Sequence, residues 1–269
     1  MVRMFKLDKV IAEGVTYETG ADEFLVIKKI GTDSTAGARL VIDGYNLGQI
    51  NATLAPMHKT STNAYGLLDL GDLYYVVPPN KKYWLSGGGT DKMRIVGFIG
   101  RLGRGETMPP QYEARFRQQI AEYLTFVEGS LSLGTDVAFT AGSEQEVYTL
   151  IPNTKEQYIF DNILYCAVSG RAAGIDWGTF ALRFYKQGEP LDVLVSSEAP
   201  LGIDLKAIPS PPTTTDYEEA FTLADYPIAV AGDESFSVKV VNISGADQAP
   251  DNGSAWSFDF KAIVRYKKL

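Results

Sequence analysis

Apolar runs too short for helices alternate with turns rich in Gly, Pro, Asn and Asp along most of the chain, the pattern of a protein built from strands. In four places the turn takes one form, a Gly or Pro with a charged residue and then an aromatic residue that opens an apolar run. It reads Thr19-Gly20-Ala21-Asp22-Glu23-Phe24 and Val77-Pro78-Pro79-Asn80-Lys81-Lys82-Tyr83 in the first half. It returns as Ile151-Pro152-Asn153-Thr154-Lys155-Glu156-Gln157-Tyr158 and Val230-Ala231-Gly232-Asp233-Glu234-Ser235-Phe236 in the second. Two copies in each half predict an all-β unit that occurs twice.

Other segments match between the halves. Residues 156–163 follow the pattern of 23–30, with Ile159 in the place of Val26 and Ile163 in that of Ile30. Asp43-Gly44 is a strong hairpin signal after 38–42, and Gln187-Gly188 closes 177–185 in the same way. Each half ends on a long apolar strand, 93–102 in the first and 258–266 in the second. Between these marks lies a Pro-rich stretch, 208–215, which cannot be a central strand because Pro lacks the ladder donor; it is expected to be a surface excursion.

Residues 109–127 break the strand pattern. Tyr112, Phe116, Ile120 and Leu124 recur at helical spacing after Pro109-Pro110, and Gly129 is a stop signal, so a helix is expected as the connector between halves. The alternative is a helix only to about Gln119, followed by a strand through Tyr123-Leu124-Thr125-Phe126-Val127. The predicted fold is all-β: two tandem antiparallel β-sandwiches, jelly-roll-like, at 1–108 and 130–269, joined by a helical connector at 109–129. Strand order is not legible in one sequence, so an immunoglobulin-like sandwich stays open.

Composition narrows the function. With 45% hydrophobic and 22% charged residues the chain is that of a folded protein, and its 269 residues suit two domains. The formal charge of −8 argues against a dedicated nucleic-acid coat, whose affinity comes from net basic surface. No stretch reaches the length of a membrane span. The N-terminal segment meets charge at once and lacks the apolar core of a signal peptide, so synthesis in a reducing cytoplasm is expected.

Catalytic chemistry finds little to work with. The chain has one histidine, His58, in the loop Pro56-Met57-His58-Lys59-Thr60, so no site needing two histidines fits within it, and His58 is expected to be an exposed loop residue. Its one cysteine, Cys166, sits in an apolar run and is expected to be a buried hydrophobe. Glycines at 97–105 lack the ending of a phosphate loop, and no pair among the 33 acidic residues is nominated for carboxylate catalysis of a glycosidase type. No catalytic, metal or cofactor-binding residue is assigned, and no cofactor is expected. Two features are candidates for contacts. Lys92, Arg94, Arg101, Arg104, Arg115 and Arg117 form a local basic stretch that suits packaged nucleic acid or an acidic neighbour. Trp84, Trp177 and Trp256 suit stacking on a sugar, or else β cores and subunit interfaces.

The strand openings at 148–160 and 230–238 look like those of β-sandwich virion proteins of bacterial and archaeal viruses, and the duplication resembles the tandem, double jelly-roll capsid proteins. That resemblance implies a non-enzymatic structural component of a virus or phage particle: capsid shell, decoration, turret or tail-collar subunit. It also implies self-assembly through lateral faces into a homo-trimer or larger symmetric array with other virion proteins, and no catalytic residues. The alternative is a phage receptor-binding or carbohydrate-binding module that uses exposed aromatics.

Overall fold

In the first half the apolar, β-branched and aromatic runs form nine strands: β1 (Arg3–Ala12), β2 (Thr16–Glu18), β3 (Glu23–Thr32), β4 (Ala38–Ile42), β5 (Tyr45–Ile50), β6 (Leu68–Asp69), β7 (Tyr75–Val77), β8 (Lys82–Ser86) and β9 (Lys92–Arg101). The computed structural model describes residues 2–60, 65–170, 179–191, 203–205, 221–223 and 225–269. One antiparallel sheet runs β1-β9-β3, with β6 and β7 both on the far edge of β3; the other runs β2-β8-β4-β5. Taking β6 and β7 as two pieces of one strand gives eight strands in two sheets, a jelly roll.

After the helix α1 (Pro110–Gln118) the second half repeats this plan with β10 (Glu122–Ser132), β11 (Glu144–Leu150), β12 (Glu156–Phe160), β13 (Ile163–Ser169), β14 (Phe180–Lys186), β15 (Glu189–Pro190), β16 (Ile203–Asp204), β17 (Phe221–Thr222), β18 (Ile228–Ala231), β19 (Phe236–Asn242) and β20 (Ser257–Lys268). Here β10 pairs β20, which pairs β12 and β13, which in turn carry β18 and β17 on their far side. The second sheet runs β11-β19-β14, with β15 and β16 on β14. With β12 and β13, β15 and β16, and β17 and β18 each taken as two pieces of one strand, eight strands remain in the order of the first half, which decides for the jelly roll over the immunoglobulin-like order. Residue contacts fall into two compact units, one built mainly from Met1–Phe126 and the other mainly from residues 127–264.

The correspondence reaches single residues. The third strand is interrupted at the same offset in both units, by a bulge after Ile27 in β3 and by a break after Phe160 between β12 and β13. The hairpin β4–β5 turns on Asp43 (φ 50°) and Gly44 (φ 84°), and β14–β15 turns on Gln187 (φ 54°) and Gly188 (φ 81°), both with two left-handed residues as a tight hairpin requires. The four recurrent phrases occupy two corners of each sandwich. In the first unit they lie before β3 and before β8, in the second before β12 and before β19. The two corners meet. The Thr19 hydroxyl donates to the Pro78 carbonyl (2.6 Å) and accepts from the Lys81 amide (3.1 Å), and the Asp233 amide donates to the Pro152 carbonyl (3.1 Å). Asn80 (φ 57°) and Asp233 (φ 64°) hold the same left-handed position in equivalent turns, a conformation that Asn and Asp tolerate better than other side chains.

Large apolar side chains fill the space between the sheets. In the second unit Phe160, Cys166, Phe258 and Phe260 from one sheet meet Phe180, Phe184, Phe236 and Val238 from the other, with Trp256 wholly buried among them. In the first unit β3 breaks the inward/outward alternation, since Phe24, Leu25, Val26 and Ile27 are all buried. The cause is α1. Tyr112 and Phe116 on the helix pack with Met108 over Phe24, Val26 and Val76, so β3 is covered on both faces.

The helix is shorter than the connector expected over 109–129. Pro110 does open it, but it ends at Gln118, a turn closes from the Ala121 amide to the Gln118 carbonyl (2.8 Å), and β10 begins at Glu122. The run Tyr123-Leu124-Thr125-Phe126-Val127 is aromatic and β-branched and goes into strand, where such residues pack best. Gly129 is therefore a strand residue, and its lack of a side chain lets β10 approach the Val147 carbonyl of β11. The Pro-rich stretch 208–215 lies outside the described residues.

Candidate interaction surface

The basic stretch does not form one patch. Lys92 and Arg94 fall on the outer face of β9, and Arg101 on the opposite parity at the strand's end. Arg94 is clamped to Asp8 of β1, with both its Nε and an Nη at 2.9 Å from the carboxylate oxygens, and this pairing lowers the Asp8 pKa. The Arg101 Nε bonds Glu23 (2.9 Å) and its guanidinium lies over the Phe5 ring. Arg104 is exposed in the turn after β9, and Arg117 pairs loosely with Glu113 one helical turn away (3.8 Å).

Arg115 is corrected outright as a surface residue: it is buried. Its guanidinium donates to the carbonyls of Tyr74 (2.8 Å), Leu73 (3.0 Å) and Glu122 (2.9 Å), tying helix, loop and strand together within the first unit. The apolar face of α1 packs on β3, and turning Arg115 inward toward three carbonyls supplies the polar part of that contact.

The tryptophans separate in the same way. Trp256 is wholly buried, with its indole N–H donating to the Gln248 carbonyl (2.9 Å), so it is not a contact residue. Trp84 is half-buried on β8, and Trp177 lies outside the described residues. His58 is exposed in its loop, and Cys166 is buried, where desolvation pushes its thiol pKa up. Among the described residues no group of His, Cys, Asp or Glu is disposed to hold a metal ion, and no helix is long and apolar enough to cross a membrane.

Two outward-facing constellations are built by the sheets and were not legible in the sequence. On β1 and β9, Leu7 and Ile11 point into the core, so the alternate residues Met4, Lys6, Asp8 and Val10 point out, next to Arg94 and Phe98. Met4, Val10 and Phe98 are 43%, 49% and 44% exposed, a concentration of apolar surface on one strand pair. On the outer face of the second unit, Glu144 of β11 gathers Arg183 and Tyr185 of β14 and Lys239 of β19. The Tyr185 hydroxyl donates to Glu144 Oε2 (2.6 Å), the Arg183 guanidinium lies at 2.5 Å from Oε1, and Lys239 Nζ stands 3.6 Å from Oε2 and 4.1 Å from the centre of the Tyr185 ring. Partial burial alone raises the Glu144 pKa; the Tyr185 hydrogen bond and the Arg183 and Lys239 charges outweigh it, and the net shift is downward. Alternation within β14 hints that Arg183 and Tyr185 face outward, but their meeting with Glu144 depends on strand pairing across about forty residues.

No protein-family model matches this chain, and no curated protein matches it. Among solved structures the matches that span its length include viral capsid and turret proteins. The major capsid protein P2 from bacteriophage PM2 is 10% identical, with 100% of this chain and 97% of that one covered and a TM-score of 0.35. A223, a turret protein in Sulfolobus turreted icosahedral virus, is 10% identical over 100% of this chain and 99% of that one, with a TM-score of 0.23. The PBCV-1 virus capsid is 12% identical over 99% and 95%, with a TM-score of 0.29. At these values the likeness decides neither fold nor role, and the jelly-roll assignment stands on the strand order of the chain itself.

Proposed function

We propose that this protein is a non-enzymatic structural subunit of a virus or phage particle, in the capsid shell, a decoration, a turret or a tail collar, and that it assembles with copies of itself through lateral faces. The observation that carries the reading is the duplication: one chain holds two jelly rolls with the same strand order and the same corner chemistry. Such a chain brings two similar building blocks to every contact. Three chains then offer six similar modules, the number that suits a pseudo-hexagonal tile. The ordered side-chain networks on the sheet faces fix rigid surfaces for repeated contacts, and exposed apolar residues on β1 and β9 offer area to bury.

The test is size-exclusion chromatography with light scattering, followed by negative-stain microscopy of the concentrated protein. Discrete trimers, sheets or closed shells are expected. A persistent monomer that binds a glycan in an array screen overturns the reading in favour of a receptor-binding or carbohydrate-binding module.

A further inference from the structure

Strand β1 is the edge of its sheet, ten residues long, and it pairs β9 in continuous register with no bulge. Long, flat edges are the places where a second chain adds a strand, and proteins that stay monomeric break them with bulges, Pro or short length. Three other edges among the described residues carry such devices. The edge strand β2 has three residues, β11 is bulged between Glu146 and Tyr148, and β7 is capped by the Gln119 side chain. From Met4 to Val10 no described residue pairs with the outer edge of β1, and only at its end does the Tyr17 hydroxyl accept from the Ala12 amide (3.3 Å); the outward side chains of the strand include half-exposed Met4 and Val10.

We propose that β1 pairs antiparallel with β1 of a second copy of this chain, about a two-fold axis at Leu7. The sequence of the strand is self-complementary in that register. On the outer face Met4 stands opposite Val10 of the second copy and Lys6 opposite its Asp8, and the symmetry repeats both pairs. On the inner face Leu7 meets Leu7, and Phe5 lies opposite Lys9. The Lys6 side chain is 80% exposed and 4.0 Å from its own Asp8, so its ammonium is free to reach the carboxylate across the new ladder. Shifting the register by one residue on one copy puts apolar and charged side chains on opposite faces and removes both matches. The pairing joins this sheet in two copies into one continuous sheet, an isologous contact of the kind that links building blocks. It deepens the assembly reading above and rests on it for its purpose, though not for its chemistry.

The experiment uses the full chain with paired cysteines. Cys166, the native thiol, is buried and gives little background. Facing residues of an antiparallel pair have Cα atoms about 4.5–5.5 Å apart, within disulfide reach, whereas positions 4 and 10 of one strand are about 20 Å apart. The Met4→Cys/Val10→Cys double variant, and an equimolar mixture of the two single variants, should form a covalent dimer under mild oxidation on non-reducing electrophoresis; neither single variant alone should. In sedimentation, Lys6→Glu sets like charges opposite Asp8 twice and should weaken the dimer about tenfold or more. Absence of the cross-link, equal cross-linking by the single variants, or no effect of Lys6→Glu overturns the inference. If trimers or sheets persist in stain without the cross-link, the β1 contact fails and the building-block reading stands. If the dimer forms and nothing larger does, the reverse holds.

Discussion

The side chain of Gln119 pairs with the backbone of Val76 as a neighbouring strand would: the Val76 amide donates to Gln119 Oε1 (2.7 Å), and Gln119 Nε2 donates to the Val76 carbonyl (3.0 Å). Gln119 is wholly buried, just past the end of α1, and β7 is an edge strand, so one amide closes the edge and docks the helix at once. Gln119→Ala should leave two buried backbone groups without partners and cost about 2–4 kcal/mol. Gln119→Glu keeps the acceptor but sets a carboxylate against a carbonyl, and should recover little. Urea unfolding monitored by tyrosine and tryptophan fluorescence measures both.

Arg115 and Arg117 stand two residues apart on one helix and should behave as opposites. Arg115→Ala removes three bonds from a buried guanidinium to part-buried carbonyls and should cost about 2–4 kcal/mol, while Arg117→Ala should stay within about 0.5 kcal/mol. Equal effects in denaturant titrations would show that the helix is not anchored through Arg115.

In the equivalent corners, Asn80 and Asp233 hold left-handed backbone. Glycine at either place should be nearly neutral, and valine should cost about 1–2 kcal/mol at each. Matched losses at the two sites in thermal melts would show that the duplicated corners are energetically alike.

Gly129 faces the Val147 carbonyl and Tyr148 across β10 and β11, with no room for a Cβ. Gly129→Ala should therefore force the strands apart and cost about 1–3 kcal/mol. Gly105, with open space around it and positive φ, should lose only the smaller cost of a left-handed backbone on the same change. Thermal unfolding of the two variants side by side checks the difference.

The Glu144 carboxyl has a folded pKa below its ordinary value of 4.5. A carboxylate lowered by folding contributes stability that is complete above about pH 4.5 and is lost as pH falls through the lowered value. Glu144→Gln should cost about 1–2 kcal/mol at neutral pH and flatten the loss of stability on acidification below about pH 4.5. Denaturant midpoints of both proteins between neutral and acid pH measure this, and parallel curves would show that Glu144 does not couple folding to protonation.

Much of the architecture could be read along the chain because it is written in local chemistry. The repeated turns are local, since Asn80, Asp233, Asp43-Gly44 and Gln187-Gly188 carry the backbone angles of their corners in their own residue types. The duplication followed from these turns, as did the parallel of 23–30 with 156–163. The extent of α1 was not fixed locally: helical spacing and strand propensity compete through Tyr123–Val127, and the outcome was decided by pairing with β20 and by the hold of Gln119 on β7. Surface and interior were equally ambiguous for charged residues. Nothing in the spacing of Arg115 and Arg117 says that one faces three carbonyls and the other water.

The sequence by itself determined that this is a chain of short strands, duplicated, with most of its corners in fixed places, because turn geometry and strand preference act over a few residues. Tertiary structure alone decided the order of the strands and the burial of Arg115, Gln119 and Trp256. It also decided the gathering of Glu144, Arg183, Tyr185 and Lys239 and the open edge of β1, because each of these depends on pairing between segments far apart in the chain.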